Sequence, residues 1–274
     1  MKGLYAFRRR ERVVNCKWEE LTAVEFAEVA AAVKGVCVLP LGVLEKHGSH
    51  LPLGTDAINV RAVAERAVSM EPAMLFPVNV FTQIHEAKHC PGTVAVRREV
   101  MFGLLENLCD EIARNGLGKI ILLNGHGGNT AMLSYFLFSL LERPREYVVY
   151  LAGLEGFWTG ARAAAREKGM IRVEEDHHAG ETETSLTMAS RPDLVKMEKV
   201  SAPPKALGRQ EHLEGARTPV WWYADWPEHY AGDASAANPE LGEFLQARCA
   251  EEVAATIRAV RADEVTAGLQ AEYF

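Results

Sequence analysis

Short, uninterrupted apolar runs, each followed by a longer amphipathic one, constrain this chain more than any other feature. GVCVLPLG (35–42) precedes AINVRAVAERAVSM (57–70), and AMLFPVNV (73–80) precedes REVMFGLLENLCDEIARNG (98–116). The order recurs as KIILLNG (119–125) before NTAMLSYFLFSLLER (129–143) and as YVVYLAG (147–153) before GFWTGARAAAREKG (156–169). A last helix is expected over most of 240–268. Apolar runs of this length read as strands and the amphipathic runs as helices. Strand and helix in alternation imply right-handed crossovers and a mostly parallel sheet covered on both faces, a three-layer α/β/α sandwich.

Residues 199–239 are rich in Pro, Gly and Trp and follow neither period. Helical sequence resumes after them, so they read as a functional loop inside one domain, 1–274, rather than as a linker. Within them WWYADWPEHY (221–230) has the aromatic content to stack on a ring, although packing of the loop or of an oligomer interface is the commoner use; His212 and His229 receive no role. The net charge of −7 has no basic block set against it except RRRER (8–12), read as a solvated face, so neither nucleic acid nor an anionic membrane is an expected partner. Cys16, Cys37, Cys90, Cys109 and Cys249 are scattered without metal or redox spacing, which suits reduced thiols in a cytoplasm. The first residues lack the apolar stretch of a signal peptide, and no apolar run is long enough to span a bilayer.

Ligands of open parallel sheets gather beyond the carboxyl ends of the strands, and the polar clusters fall there. EKHGSHLPLGTD (45–56) follows the first strand and holds Glu45, His47, His50 and Asp56, the last also placed to N-cap the next helix. NGHGGN (124–129) puts His126 at another strand end among three glycines, which let the backbone turn sharply and approach a ligand. It matches neither phosphate-loop pattern. EEDHHAGETETSL (174–186) places His177 and His178 in a loop, with Glu181 and Glu183 on the first turn of a helix, where acidic residues are also favoured by the helix dipole. Two His with two or three carboxylates suit Zn²⁺, Mn²⁺ or Fe²⁺ better than the all-oxygen cations.

These motifs resemble the creatininase (creatinine amidohydrolase) family of metal-dependent hydrolases. The resemblance rests on LEKHGSHLPLGTD (44–56), PGT (91–93), NGHGGN (124–129) and HAGETETS (178–185), with a weaker fifth in GDASAANPELG (232–242). It implies a homo-oligomer, often a hexamer, with one or two divalent ions per subunit acting on amide-type bonds of a small molecule. Carried over by position, Glu45, Asp56 and His126 resemble the ligands of one metal, and His47 with a bridging Asp56 part of a second. His178 and Glu183 match the catalytic loop, His178 as proton donor or stabiliser. Creatininase itself has an aromatic residue and then a metal-binding carboxylate just after NGH, where this chain has Gly127 and Gly128. Glu183 is the substitute ligand, and creatinine is not the expected substrate. Before PGT the family often has an SPEH-like sequence; here FTQIHEAKHC (81–90) keeps only Glu86 in register.

Gln83, Glu86, His89 and Asn129 are the candidate substrate contacts, in a segment whose donors and acceptors suit a hydroxyl-rich molecule. Metal-assisted hydrolysis of an amide, formamide or lactam-like bond is the expected chemistry. Hydrolytic C–C opening of a cyclic polyol ketone, such as an oxidised inositol, is the alternative. A metal-stabilised binding protein without turnover is the third reading, and it requires ligands with no open coordination position.

Overall fold

The computed structural model describes residues 15–153 and 156–274, so RRRER lies outside the described residues. Four parallel strands, β1 (Val36–Leu41), β2 (Met74–Leu75), β3 (Lys119–Asn124) and β4 (Val148–Ala152), form a sheet in the order β2-β1-β3-β4. The helices are α1 (Ala23–Ala32), α2 (Thr55–Met70), α3 (Arg98–Arg114), α4 (Thr130–Ser139), α5 (Gly156–Glu167), α6 (Glu181–Ser190), α7 (Trp221–Asp225), α8 (Pro239–Ala262) and α9 (Thr266–Tyr273).

Strand side chains alternate between two cores. Val36 and Val38 of β1, with Ile121 and Leu123 of β3, pack under α2, α5, α6 and α8. Cys37, Leu39 and Leu41, with Ile120 and Leu122, pack under α1, α3 and α4. Every β1 residue is buried, which is why the run shows no polar alternation. The expected α/β/α sandwich is the observed one. All five cysteines are buried and none forms a disulfide.

Three boundaries differ from the sequence reading. The run 73–80 yields only two strand residues, Met74–Leu75, with Phe76 N–H making the last regular link to the Val38 carbonyl at 2.9 Å. Asn79 then rejoins the sheet, its N–H donating to the Pro40 carbonyl at 3.0 Å. Helix α2 begins at Thr55, after Gly54, so Asp56 sits in its first turn and caps nothing. The last helix stops at Ala262, where Asp263 turns extended and accepts from the Val265 and Thr266 N–H groups before α9 begins.

The weak fifth motif turns out to be a docking device. Asn238 Oδ1 accepts from Leu241 N–H at 2.9 Å to cap α8, and Asn238 N–H donates to Ser185 Oγ at 3.0 Å. One turn on, a Cβ on Gly242 would overlap the Ser185 carbonyl oxygen, well inside van der Waals contact. The helix that carries Glu183 therefore lies in backbone contact with α8. Gly242→Ala is expected to cost about 1–3 kcal/mol by forcing the two helices apart. A lower urea midpoint at unchanged m would show it; an unchanged midpoint would mean that the crossing has slack.

Candidate metal centre

Leu41 and Asn124 are paired at the ends of β1 and β3, so the loops that follow start level and side by side. The β1 loop closes on itself, Glu45 N–H donating to the Leu53 carbonyl at 2.9 Å, and presents Glu45 and His47. The first turn of α2 adds Asp56, the end of β3 adds His126, the loop into α6 adds His178, and the first turn of α6 adds Glu183. Except for Glu183, all of these side chains are buried.

Asp56 is the centre of the cluster. Its Oδ2 lies 2.9 Å from His126 Nδ1 and its Oδ1 3.2 Å from His47 Nε2. Glu45 Oε1 is 3.0 Å from the same His126 nitrogen, and Glu183 Oε2 is 3.8 Å from His47 Nε2. Two sets of ligand atoms, Glu45–Asp56–His126 and His47–Asp56–Glu183, thus share one carboxylate, each set lying within 4.8 Å.

The outer ring nitrogens show which lone pairs turn inward. His47 Nδ1 faces the Glu45 carbonyl at 3.4 Å, and His178 Nε2 faces the Lys46 carbonyl at 2.9 Å. A carbonyl only accepts, so each ring carries its proton there and offers its other nitrogen to the cluster. Lone pairs and carboxylate oxygens at such distances repel unless a proton or a metal ion separates them. Glu45 Oε1, His47 Nε2 and Asp56 Oδ2 are buried and have no hydrogen-bond partner. Buried polar atoms are ordinarily satisfied, so this donor set fits a divalent metal ion.

The two acidic residues of α6 separate cleanly. Glu181 is buried and accepts from the Arg172 and Val173 N–H groups at 3.0–3.1 Å, a structural use, whereas Glu183 faces His47. His50 also turns away, its Nε2 2.9 Å from Thr184 Oγ1.

A cavity of about 440 Å³ opens over the cluster, walled in part by Glu86, Gly128, Arg162, His177, Trp221 and Trp222. A Cβ on Gly128 would stand 2.5 Å from His126 Nε2 and 2.6 Å from Glu86 Oε1. The space beside the carboxylate-free position 128 is therefore filled by a carboxylate from another loop. None of the glycines around His126 has positive φ; the need at Gly128 is for space, not for a sharp turn. Of the other candidate contacts, Gln83 donates to Glu86 Oε2 at 2.9 Å and to the Gly128 carbonyl at 3.1 Å, and buried Asn129 accepts from Gln83 N–H at 3.0 Å. His89 is exposed and meets the Pro227 carbonyl at 2.7 Å. His229, without an expected role, is buried with Nε2 2.5 Å from Glu45 Oε2. The two are 184 positions apart and share no motif, so no sequence signal joined them.

A family model for creatininase, described as creatinine amidohydrolase, matches residues 19–257. The chain belongs to the creatininase family. A creatinine amidohydrolase of Pseudomonas putida is 28% identical over 87% of this chain and 95% of its own length. A 3-dehydro-scyllo-inosose hydrolase of Thermotoga maritima is 27% identical over 74% of this chain and 70% of its own. A crystal structure of a creatinine amidohydrolase superposes with a TM-score of 0.76 at 25% identity, across 90% of this chain and 98% of that one. Membership of the creatininase family makes this protein a metal-dependent hydrolase of the amidohydrolase type, which sets aside a binding protein without turnover. Among the described residues no helix is long and apolar enough to cross a membrane.

The charges of the centre hold one another in place. Burial opposes a charge on His47, but Asp56 and Glu45 overcome it and hold the imidazolium up to about 10. His126 is raised well above the usual value against the same burial, by Glu45 and Asp56. Burial together with the His47 charge pushes His178 well below its usual value, and it is neutral. Burial, opposed by His47 and reinforced by Asp56, raises Glu183 to about 7.

A metal ion entering the centre must displace the protons of His47 and His126. Both protons stay bound in the metal-free protein until pH rises through the elevated values, so metal affinity increases with pH and levels off toward about 10. A chelator-competition titration across the neutral range is expected to give log K rising by about one to two units per pH unit. A flat profile would remove these imidazoles from the ligand set. The same sign applies to the metal-free fold: the stabilisation from His47 is complete below about pH 6.5 and disappears as pH rises toward 10.

Proposed function

We propose that this protein hydrolyses an amide, formamide or cyclic amide bond in a small polar molecule, with Glu45, Asp56 and His126 holding the catalytic metal ion. The observation that carries this reading is Asp56, whose two oxygens face two different imidazoles. His47, Asp56 and Glu183 would hold a second ion, and the mixed N/O donors suit Zn²⁺, Mn²⁺ or Fe²⁺. When bound, such an ion lowers the pKa of a coordinated water from about 15.7 toward ~7 and polarises the scissile carbonyl.

The protein side chains manage the protons. His178 donates its Nε2–H to the Lys46 carbonyl and presents an unprotonated Nδ1 toward Glu183 Oε2, so at neutral pH it starts as a proton acceptor. Glu183, raised to about 7 in the metal-free centre, would carry a proton for the leaving nitrogen where it is not itself a ligand. With two ions it becomes a ligand, and His178 delivers the proton that it has taken up. Glu86 contacts the substrate, with Gln83, His89 and Asn129 holding the surrounding loops.

A second reading, hydrolytic C–C opening of a cyclic polyol ketone, is favoured by Glu86 and by the inosose hydrolase relative. A carboxylate in the cavity wall accepts from hydroxyl groups, and position 127, where creatininase carries an aromatic residue, is Gly. We also propose that residues 1–274 work as one domain in the cytoplasm and assemble as a homo-oligomer, a hexamer. The outward face of α4 supports this, with Tyr135 and Phe138 64% and 71% exposed.

Elemental analysis of protein purified without chelator is expected to find about one or two equivalents of Zn, Mn or Fe, lost in Glu45→Ala and His126→Ala. Metal retained by both variants, or none in the wild type after reconstitution, would overturn the proposal. Formamides, lactams and polyol ketones are then the substrates to screen. His178→Ala should lower turnover by about 10²- to 10⁴-fold with metal content intact, and near-normal turnover would exclude His178 from proton transfer.

A further inference from the structure

We infer that Trp222 and His229 are positioning residues that aim the Glu45 carboxylate, which makes the 199–239 segment a working part of the metal centre. The inference rests on the ligand set proposed above.

An indole N–H only donates. Trp222 Nε1 lies 2.8 Å from His229 Nδ1, so Nδ1 accepts and the His229 proton sits on Nε2. That N–H points at Glu45 Oε2, 2.5 Å away. With Oε2 engaged, rotating the carboxylate would break that bond, and its other oxygen lies 3.0 Å from His126 Nδ1. Oε1 is the oxygen without a hydrogen-bond partner. The indole thus selects the tautomer, the imidazole fixes the carboxylate, and the inward oxygen is left for the ion.

His229 is held in this pose against its own backbone preference. Its φ is +49°, in the left-handed region disfavoured for a residue with a Cβ, and such conformations persist where their surroundings over-determine them. Three contacts do so here. His89 Nε2 meets the Pro227 carbonyl at 2.7 Å, Lys46 Nζ pairs with Glu228 at 2.8 Å, and His229 N–H donates to the Trp226 carbonyl at 3.0 Å. Lys46 sits next to Glu45, so the loop that supplies the carboxylate also clamps the turn that orients it.

Trp222 has a second face. It lines the cavity, and its ring meets the His178 ring edge-on with centroids 6.1 Å apart. A substrate resting on the indole therefore touches the residue that begins the Trp222–His229–Glu45 chain.

The test measures Zn²⁺ affinity by competition with a chromophoric chelator, together with the melting temperature of the metal-free protein. The proteins are wild type, His229→Leu, His229→Gln and Trp222→Phe. Loss of the donor in His229→Leu is expected to weaken zinc binding by about 10- to 100-fold. His229→Gln, whose amide can still donate to Glu45, should recover most of that affinity, and Trp222→Phe should weaken binding by a smaller factor. If the pair only packs the loop, the metal-free melting temperature falls while zinc affinity stays at the wild-type value in every variant, and the inference is overturned. Should His229→Leu fail to fold, the comparison of Trp222→Phe and His229→Gln with wild type decides by the same criterion. A wild-type protein that takes up no zinc would overturn both this inference and the function beneath it; zinc binding that is equal in all variants would overturn this inference alone.

Discussion

Two buried imidazoles on opposite sides of one buried carboxylate are stable only if positive charge lies between them. Asp56 imposes that condition, and much of the surrounding architecture serves to meet it. Asp56 and Glu183 both sit in the first turn of a helix, where the unpaired N–H groups favour negative charge. His47 and His178 anchor their outer nitrogens on carbonyls of residues 45 and 46, so backbone rather than solvent sets their orientation. The same few residues that carry the ligands therefore also hold the rings.

The sheet makes this precision possible by ending its two central strands in register. Because Leu41 pairs with Asn124, the Glu45 loop and the His126 loop leave the sheet at one level. The third contribution, from α6, has no strand to fix it. Its support is α8, which reaches α6 through Asn238, Ser185 and the space at Gly242. A motif far from the ligands in the chain thereby governs where Glu183 stands.

The layers, the strand ends and the ligand clusters were legible in the sequence because each is a local pattern: an apolar run, a period, or a group of ionisable residues within a dozen positions. What was not legible depends on contacts between distant segments. His229 looked like one more polar residue in an aromatic loop until the fold brought it to Glu45. Gly128 looked like a lost carboxylate, whereas the adjoining space is taken by Glu86 from a different loop. Asp56 satisfied the residue preference for a helix cap, but α2 begins one residue earlier and its oxygens face two imidazoles. The strand expected over 73–80 keeps only its first part in register, and Asn79 regains the Pro40 carbonyl one residue later than a regular ladder would put it.

The fit between positions 86 and 128 also limits which substitutions this site tolerates. A Cβ at 128 would crowd the Glu86 carboxylate and the His126 ring together, so a carboxylate added there would bring two anions into one space unless Glu86 swung away. Removing Glu86 would instead leave a gap beside His126 with no carboxylate in it. The two positions therefore behave as one unit, and a change at either is felt through the other.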